Sequence, residues 1–215
     1  VDGVRGGLGH LVSILLRLLA GRRTAAFIGQ DHAVTNGFPQ SLSFGSALAG
    51  DLGILFTSGA AAVAPSGWTQ IGTLNWSALA TDVYAKQLDA SDIATGHVTT
   101  ANTANGGLAV LMIYRSASTA SVVSSQTGSS TSLDIPGFTQ NALCAGVLTY
   151  ANDSTPSGGT ITAPSGTASR LRFGSSAGSI ALADILPGVV YPNGTHLVWT
   201  AMSGSANGGQ IIQLT

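Results

Sequence analysis

Glutamate is absent from this chain of 215 residues, and lysine and cysteine occur once each, as Lys86 and Cys144. Charged residues make up 8% of it, against about 25% in an average soluble protein. A net charge of −1 with eight basic side chains excludes a general nucleic-acid binder, which needs clustered Lys and Arg to neutralise phosphates. One cysteine excludes an internal disulfide, and the chain is long enough to bury a core without one. The same scarcity weighs against metal sites. Calcium loops use a bidentate glutamate, and zinc needs clustered His and Cys, whereas His10, His32, His97 and His196 are scattered. No apolar run reaches the roughly 18 residues that a membrane-spanning helix requires.

What the chain does contain is small and polar: 29 glycines and 47 serines and threonines, beside a hydrophobic fraction of 44%. So much apolar content argues against disorder. The charge is unevenly placed. Residues 1–23 carry Arg5, Arg17, Arg22 and Arg23 against Asp2, for +3, and residues 24–215 carry four basic and eight acidic residues, for −4. Composition changes at the same point, from Leu-rich to Ser, Thr, Gly, Ala and Val. Two segments are therefore expected: an N-terminal helical anchor over 1–23 and a β domain over 24–215.

Leu8, Leu11, Val12, Leu15, Leu18 and Leu19 recur at three- and four-residue steps, which predicts an amphipathic helix over Leu8–Ala20. His10, Ser13 and Arg17 form its narrow polar stripe. Gly21 is a natural stop, with Arg22 and Arg23 near the negative end of the helix dipole. A helix of about 13 residues is marginal alone in water, and this apolar face is too wide to leave exposed. The assembly interface is accordingly assigned to Leu8, Leu11, Leu15, Leu18 and Leu19, with Arg17, Arg22 and Arg23 setting orientation. A signal peptide fits less well, because Arg17 interrupts the apolar run and no good cleavage context follows.

After Thr24 the pattern is of short strands punctuated by turn residues, and no long 3.6-residue period appears. This predicts an all-β, antiparallel β-sandwich of jelly-roll type. Leu108–Tyr114 is apolar throughout and reads as a central strand buried on both faces. Thr69–Trp76 alternates, with Ile71 and Leu74 inward. Tyr84 and Tyr114 are expected to pack as a cross-strand pair. Trp68 is expected at one end of the core, and Asp51 is placed to bond amides at a strand entry.

Four stretches stand in a recognisable order: Gly50-Asp51-Leu52, Pro65-Ser66-Gly67-Trp68-Thr69, Val83-Tyr84-Ala85-Lys86 and Val110 to Tyr114-Arg115. This order resembles a β-sandwich domain of tailed-bacteriophage virion proteins, and the likeness covers roughly residues 40–116. That family's last strand ends in Tyr-Arg-Gly, where this chain has Ser116. The resemblance implies a non-enzymatic virion surface component: a tail fibre, minor tail protein, collar appendage or head decoration. It implies no cofactor, a location on the extracellular particle after synthesis in the host cytoplasm, and other head, neck or tail proteins as partners. The N-terminal helix suggests a homo-oligomer, a trimer among the arrangements that fit. A surface so poor in charge also suggests coverage by neighbours.

The alternative is a carbohydrate-binding module for a host surface glycan, with Trp76 as the contact ring. A hydrolase has little support. Gly174-Ser175-Ser176-Ala177-Gly178 matches Gly-x-Ser-x-Gly, and Ser176, Asp184 and His196 run in the order of a triad. The segment after Ser176 is too short for the helix such a nucleophile requires. Asp89 and Asp92, three apart, read as a solvated loop.

Overall fold

A computed structural model describes residues 25–215 apart from 36–38, 60–61, 77–78, 103–106, 140–145, 154–160, 176–177, 186–188, 190 and 204–205. The expected N-terminal helix, with Leu8, Leu11, Leu15, Arg17, Leu18, Leu19, Arg22 and Arg23, lies outside the described residues, as do Cys144 and Ser176.

The described chain is mostly antiparallel β. Its first half contains β1 (Ala26–Thr35), β2 (Gln40–Ser43), β3 (Leu52–Gly59), β4 (Ala62–Val63), β5 (Thr69–Trp76), β6 (Leu79–Gln87), α1 (Ala90–Thr95), β7 (His97–Asn102) and β8 (Gly107–Arg115). The second half contains β9 (Ala120–Gly128), β10 (Ser132–Phe138), β11 (Gly146–Asp153), β12 (Thr167–Ser175), β13 (Gly178–Ile185), β14 (Thr195–Thr200) and β15 (Asn207–Leu214). In the first half a five-stranded sheet runs β1-β8-β3-β6-β5 and a small sheet runs β2-β7-β4. In the second, a five-stranded sheet runs β12-β13-β11-β15-β9 and a two-stranded one pairs β10 with β14. An isolated bridge, Thr162 to Thr200, stands where β4 meets β7 in the first half. Each half is thus a long hairpin rolled on itself: first strand with last, second with second-last, third with third-last.

Three apolar clusters order the sheets into layers. Leu52, Ile54, Phe56, Val110, Met112 and Tyr114 of one large sheet share a cluster with Leu148, Tyr150, Ile180, Leu182 and Ile212 of the other. The opposite face of the first large sheet, with Leu55, Tyr84, Leu111 and Ile113, packs on Leu42 and Val98 of its small sheet. The opposite face of the second, with Val147, Ala181 and Ile211, packs on Leu133, Ile135, Leu197 and Trp199. Both large sheets are covered on both faces, which is why β8 is buried from Gly107 to Tyr114 and reads as a continuous apolar run rather than an alternating one.

The turn before β5 and the residues around Asp51 set how the first half is tied together. Pro65-Ser66-Gly67 turns with Gly67 at φ 78° and Trp68 N–H donating to Pro65 O at 3.0 Å. The turn drops Trp68 onto β3, where a Cβ added to Gly53 would lie 2.7 Å from the indole. Asp51 Oδ2 accepts from the Leu48 amide at 2.8 Å, as expected, and Asp51 also takes a two-point ion pair from Arg115 at 3.0 and 2.8 Å. Ser116, directly after β8, has φ 63°, a left-handed conformation that costs an L side chain about 1–2 kcal/mol. Ser116→Gly is expected to raise stability by about 0.5–1 kcal/mol in denaturant unfolding, after the entropy that glycine adds to the unfolded chain. A loss of stability would mean that the serine side chain holds the turn.

Two expectations need correction. Tyr84 and Tyr114 do not pair: β3 lies between β6 and β8, and the rings sit on opposite faces of the sheet. Tyr114 meets Phe27 edge-on at 5.9 Å instead. Asp89 and Asp92 are not an open acidic loop. Asp89 caps α1, its carboxylate accepting from Ser91 and Asp92 amides, while Asp92 bonds back to the Asp89 amide. That reciprocal box satisfies N–H groups a helix start otherwise leaves unpaired, and Asp92 also takes Lys86 at 2.6 Å.

Candidate functional site

Charge in the described residues is used inside the fold. All eight aspartates accept hydrogen bonds from this chain. Asp31 Oδ2 takes the Ser43 amide at 2.7 Å, Asp82 takes Gln70 and Thr73, and Asp153 takes both the amide and the hydroxyl of Ser203. Asp134 meets His196 Nδ1 at 2.9 Å, and Asp51, Asp89, Asp92 and Asp184 hold the partners given above or below. Of the four basic residues, Lys86, Arg115 and Arg170 are in ion pairs. The carboxylates act as staples at strand entries, a helix start and strand crossings, where a short acceptor satisfies backbone or side-chain donors.

One polar cluster joins the two halves. Tyr114 of β8 donates its hydroxyl to Asp184 Oδ1 of β13 at 2.5 Å, and Arg170 of β12 donates Nε to Asp184 Oδ2 at 2.6 Å. The Arg170 guanidinium also stands 4.5 Å from the centre of the Phe27 ring on β1, an arrangement in which the ring face attracts the cation. Burial pushes the Asp184 carboxyl above its ordinary value, although Tyr114 and Arg170 pull the other way. Burial also raises the Tyr114 phenol well above its own, assisted by the Asp184 charge. Asp51 goes in the opposite direction. Burial works to raise it, but the Arg115 hydrogen bonds, the Leu48 amide and the Arg115 charge outweigh burial and hold it below the usual carboxylate range.

Of the serine-hydrolase constellation, the described members Asp184 and His196 are engaged with other partners. On either side of Ser176, which lies outside the described residues, Ser175 of β12 pairs with Gly178 of β13, whereas a nucleophile elbow leads from a strand into a helix. Asp184 is held by Tyr114 and Arg170, and His196 by Asp134. Trp76 is also misplaced for a glycan contact. It is 2% exposed, its Nε1 donates to Thr81 Oγ1 at 3.0 Å, and it packs beside Gly208 of the other half. The Trp76 assignment is corrected on that ground, since a sugar-stacking ring must face solvent. Asn152, which begins the Asn-x-Ser pattern of an N-glycosylation acceptor, is buried and bonds Thr81.

Among the described residues no three His, Cys, Asp or Glu side chains gather as a metal site would require, and no helix is long and apolar enough to cross a membrane. The Tyr114–Asp184–Arg170 cluster was missed in the sequence. Tyr114 lies far from the other two in the chain, and the one local signal, Arg170, Arg172 and Asp184 as the only charges of β12 and β13, does not say what they meet. Comparison with protein-family models, with curated proteins and with solved structures gave no match.

Proposed function

We propose that the chain is a non-enzymatic structural component of a phage or phage-like virion. In this reading it is a surface appendage, of tail-fibre, collar or head-decoration type, attached through residues 1–23. The observation that supports it is the strand order found in both halves. Pairing first strand with last, second with second-last and third with third-last is the order of a jelly roll, and we read each half as a jelly-roll sandwich. That fold is used by viral capsid and lectin domains. The lectin branch loses its aromatic contact with the burial of Trp76, and the virion branch is favoured by the use of charge. With most ion pairs and carboxylates engaged by partners within the chain, the surface carries little charge and much Ser, Thr, Gly and Ala, a composition suited to coverage by neighbouring subunits. The partners are other virion proteins and further copies of the chain.

The test is immunolabelled electron microscopy of purified particles with the intact chain and with Leu15→Asp. The intact chain should decorate the particle surface. Leu15→Asp should abolish attachment, since burying a leucine is worth about 1.5–3 kcal/mol, whereas raising salt should have much less effect. Attachment unchanged by Leu15→Asp would remove the anchor role, and no labelling of particles would remove the virion reading.

A further inference from the structure

We infer that the chain is a fused pair of like units whose interface accepts an unlike half and refuses a second copy of the same half, with Tyr114, Arg170 and Asp184 as the discriminating residues.

The likeness goes down to single residues. Ala64-Pro65-Ser66-Gly67 before β5 recurs as Ala163-Pro164-Ser165-Gly166 before β12. The two turns match: Gly67 and Gly166 have φ 78° and 79°, and the residue after each donates its amide to the proline carbonyl at 3.0 and 3.3 Å. The fourth residue after each glycine, Ile71 or Arg170, is the extra residue of a bulge, skipped in the pairing between Gln70 and Gly72 and between Ser169 and Leu171. The one preceding each proline by two, Val63 or Thr162, bridges the second-last strand of its half, at Ala101 or Thr200. Turn, bulge and bridge keep their spacing although the side chains around them differ.

The halves also meet as a two-fold pair would. β1 lies on β12, with His32 4.6 Å from Phe173, and β5 lies on β9, where a Cβ on Gly72 would come 2.6 Å from Val122. The third strands, β3 and β11, cross at Phe56 and Tyr150, with ring centres 4.9 Å apart. Each half therefore offers the same sheet face to the other. Such an interface is isologous and self-complementary, so a like pair drawn from two chains would fit its backbone equally well.

Side chains break the equivalence. Ala85 stands opposite Thr69 as Asp184 stands opposite Ala168, and Ile71 takes the bulge that Arg170 takes. One end of the interface is thus polar and its counterpart apolar, with Ile71, Ala85, Ala120, Val122 and Leu214 in the shared cluster. If two second halves paired, Asp184 would lose the Tyr114 hydroxyl and Arg170 the Phe27 ring. If two first halves paired, the Tyr114 hydroxyl would face Ile71 and Ala85, which have no acceptor. A two-fold pair incurs the defect twice, and a buried polar or charged group without its partner is strongly disfavoured.

The test uses the full chain with a protease site between Ser116 and Thr119, cleaved after folding and left to exchange. Native mass spectrometry then separates the pairings, because the two fragments differ in mass. Unlike pairs should exceed like pairs by about a hundredfold or more, the ratio that about 2.8 kcal/mol of mismatch gives. Tyr114→Leu, Arg170→Ile and Asp184→Ala together, which give the polar end an apolar character, should bring like pairs up towards the statistical share. Tyr114→Phe alone should raise them by a smaller factor. Abundant like pairs in the cleaved parent chain, fragments that do not pair, or a triple variant as selective as the parent would each overturn the inference.

Discussion

Phe56→Ala is expected to lower stability by about 3–5 kcal/mol, the usual cost of truncating a buried phenylalanine. Phe56 is 1% exposed on β3, the middle strand of its sheet, and its ring meets Tyr150 at an interplanar angle of 73°. Truncation removes buried apolar area and an edge-to-face contact, which adds about 0.5–1.5 kcal/mol beyond area. Neither sheet can close the gap, because each is held from behind by its own small sheet. Val123→Ala is the matched control. That side chain is 40% exposed, and its loss should fall within about 0.5 kcal/mol of zero. Denaturant unfolding of both variants measures the difference. A loss below about 1 kcal/mol for Phe56→Ala would mean that the two large sheets do not share a rigid core.

Arg170→Ala should cost up to about 3 kcal/mol at neutral pH, and the cost should shrink on acidification. Removing the guanidinium leaves a buried carboxylate without its cation, and the 30% exposure of Arg170 keeps the effect below that of a fully buried pair. The pH dependence follows from the position of Asp184. Burial raises its folded pKa above the ordinary 3.8, so the folded state already favours the proton, and charging the group as pH rises costs stability. Arg170 opposes that rise, and the variant loses the opposition. The defect should therefore be largest at neutral pH and diminish as pH falls towards the ordinary carboxylate value. Asp51 supplies the opposite slope in both proteins: its folded pKa is lowered, so its contribution is lost as pH falls through that value. Comparing variant with parent at each pH cancels the contribution of Asp51. A defect that is constant with pH would mean that Asp184 is not the group left unpaired.

Local chemistry made much of the fold legible. The Ser/Thr/Gly composition with short strand-like runs marked the chain as all-β after residue 24, and the strands Leu52–Gly59, Thr69–Trp76, His97–Asn102 and Gly107–Arg115 fall where apolar runs, alternation and turn residues place them. The short helix α1 escaped because six residues carry too little of a 3.6-residue period to register. Its signal was present in the capping spacing of Asp89 and Asp92, which looks the same as two carboxylates in a loop until a helix is known to start there. The duplication escaped for a related reason. The halves share strand order, one bulge position and one turn; the turn's four residues do recur in the sequence, but strand order leaves no trace in a linear reading because each pairing joins residues far apart in the chain.

By itself the sequence determined where the chain extends, where it turns, and which residues alternate onto a common face, since these follow from backbone preference and a two-residue period. It also determined that charge would be scarce. Only the tertiary structure decided what lies against each face. Alternation puts Leu74 and Trp76 on one side of β5 but does not say whether that side meets water or the glycines of β15, and the structure supplies Gly208. Likewise Asp184 became a link between halves, not part of a triad, because β13 was laid under β8 and its Tyr114. A period names the residues that share a face; the cover over that face is set by contacts between strands far apart in sequence, whose loop entropy is offset only when the whole sheet assembles.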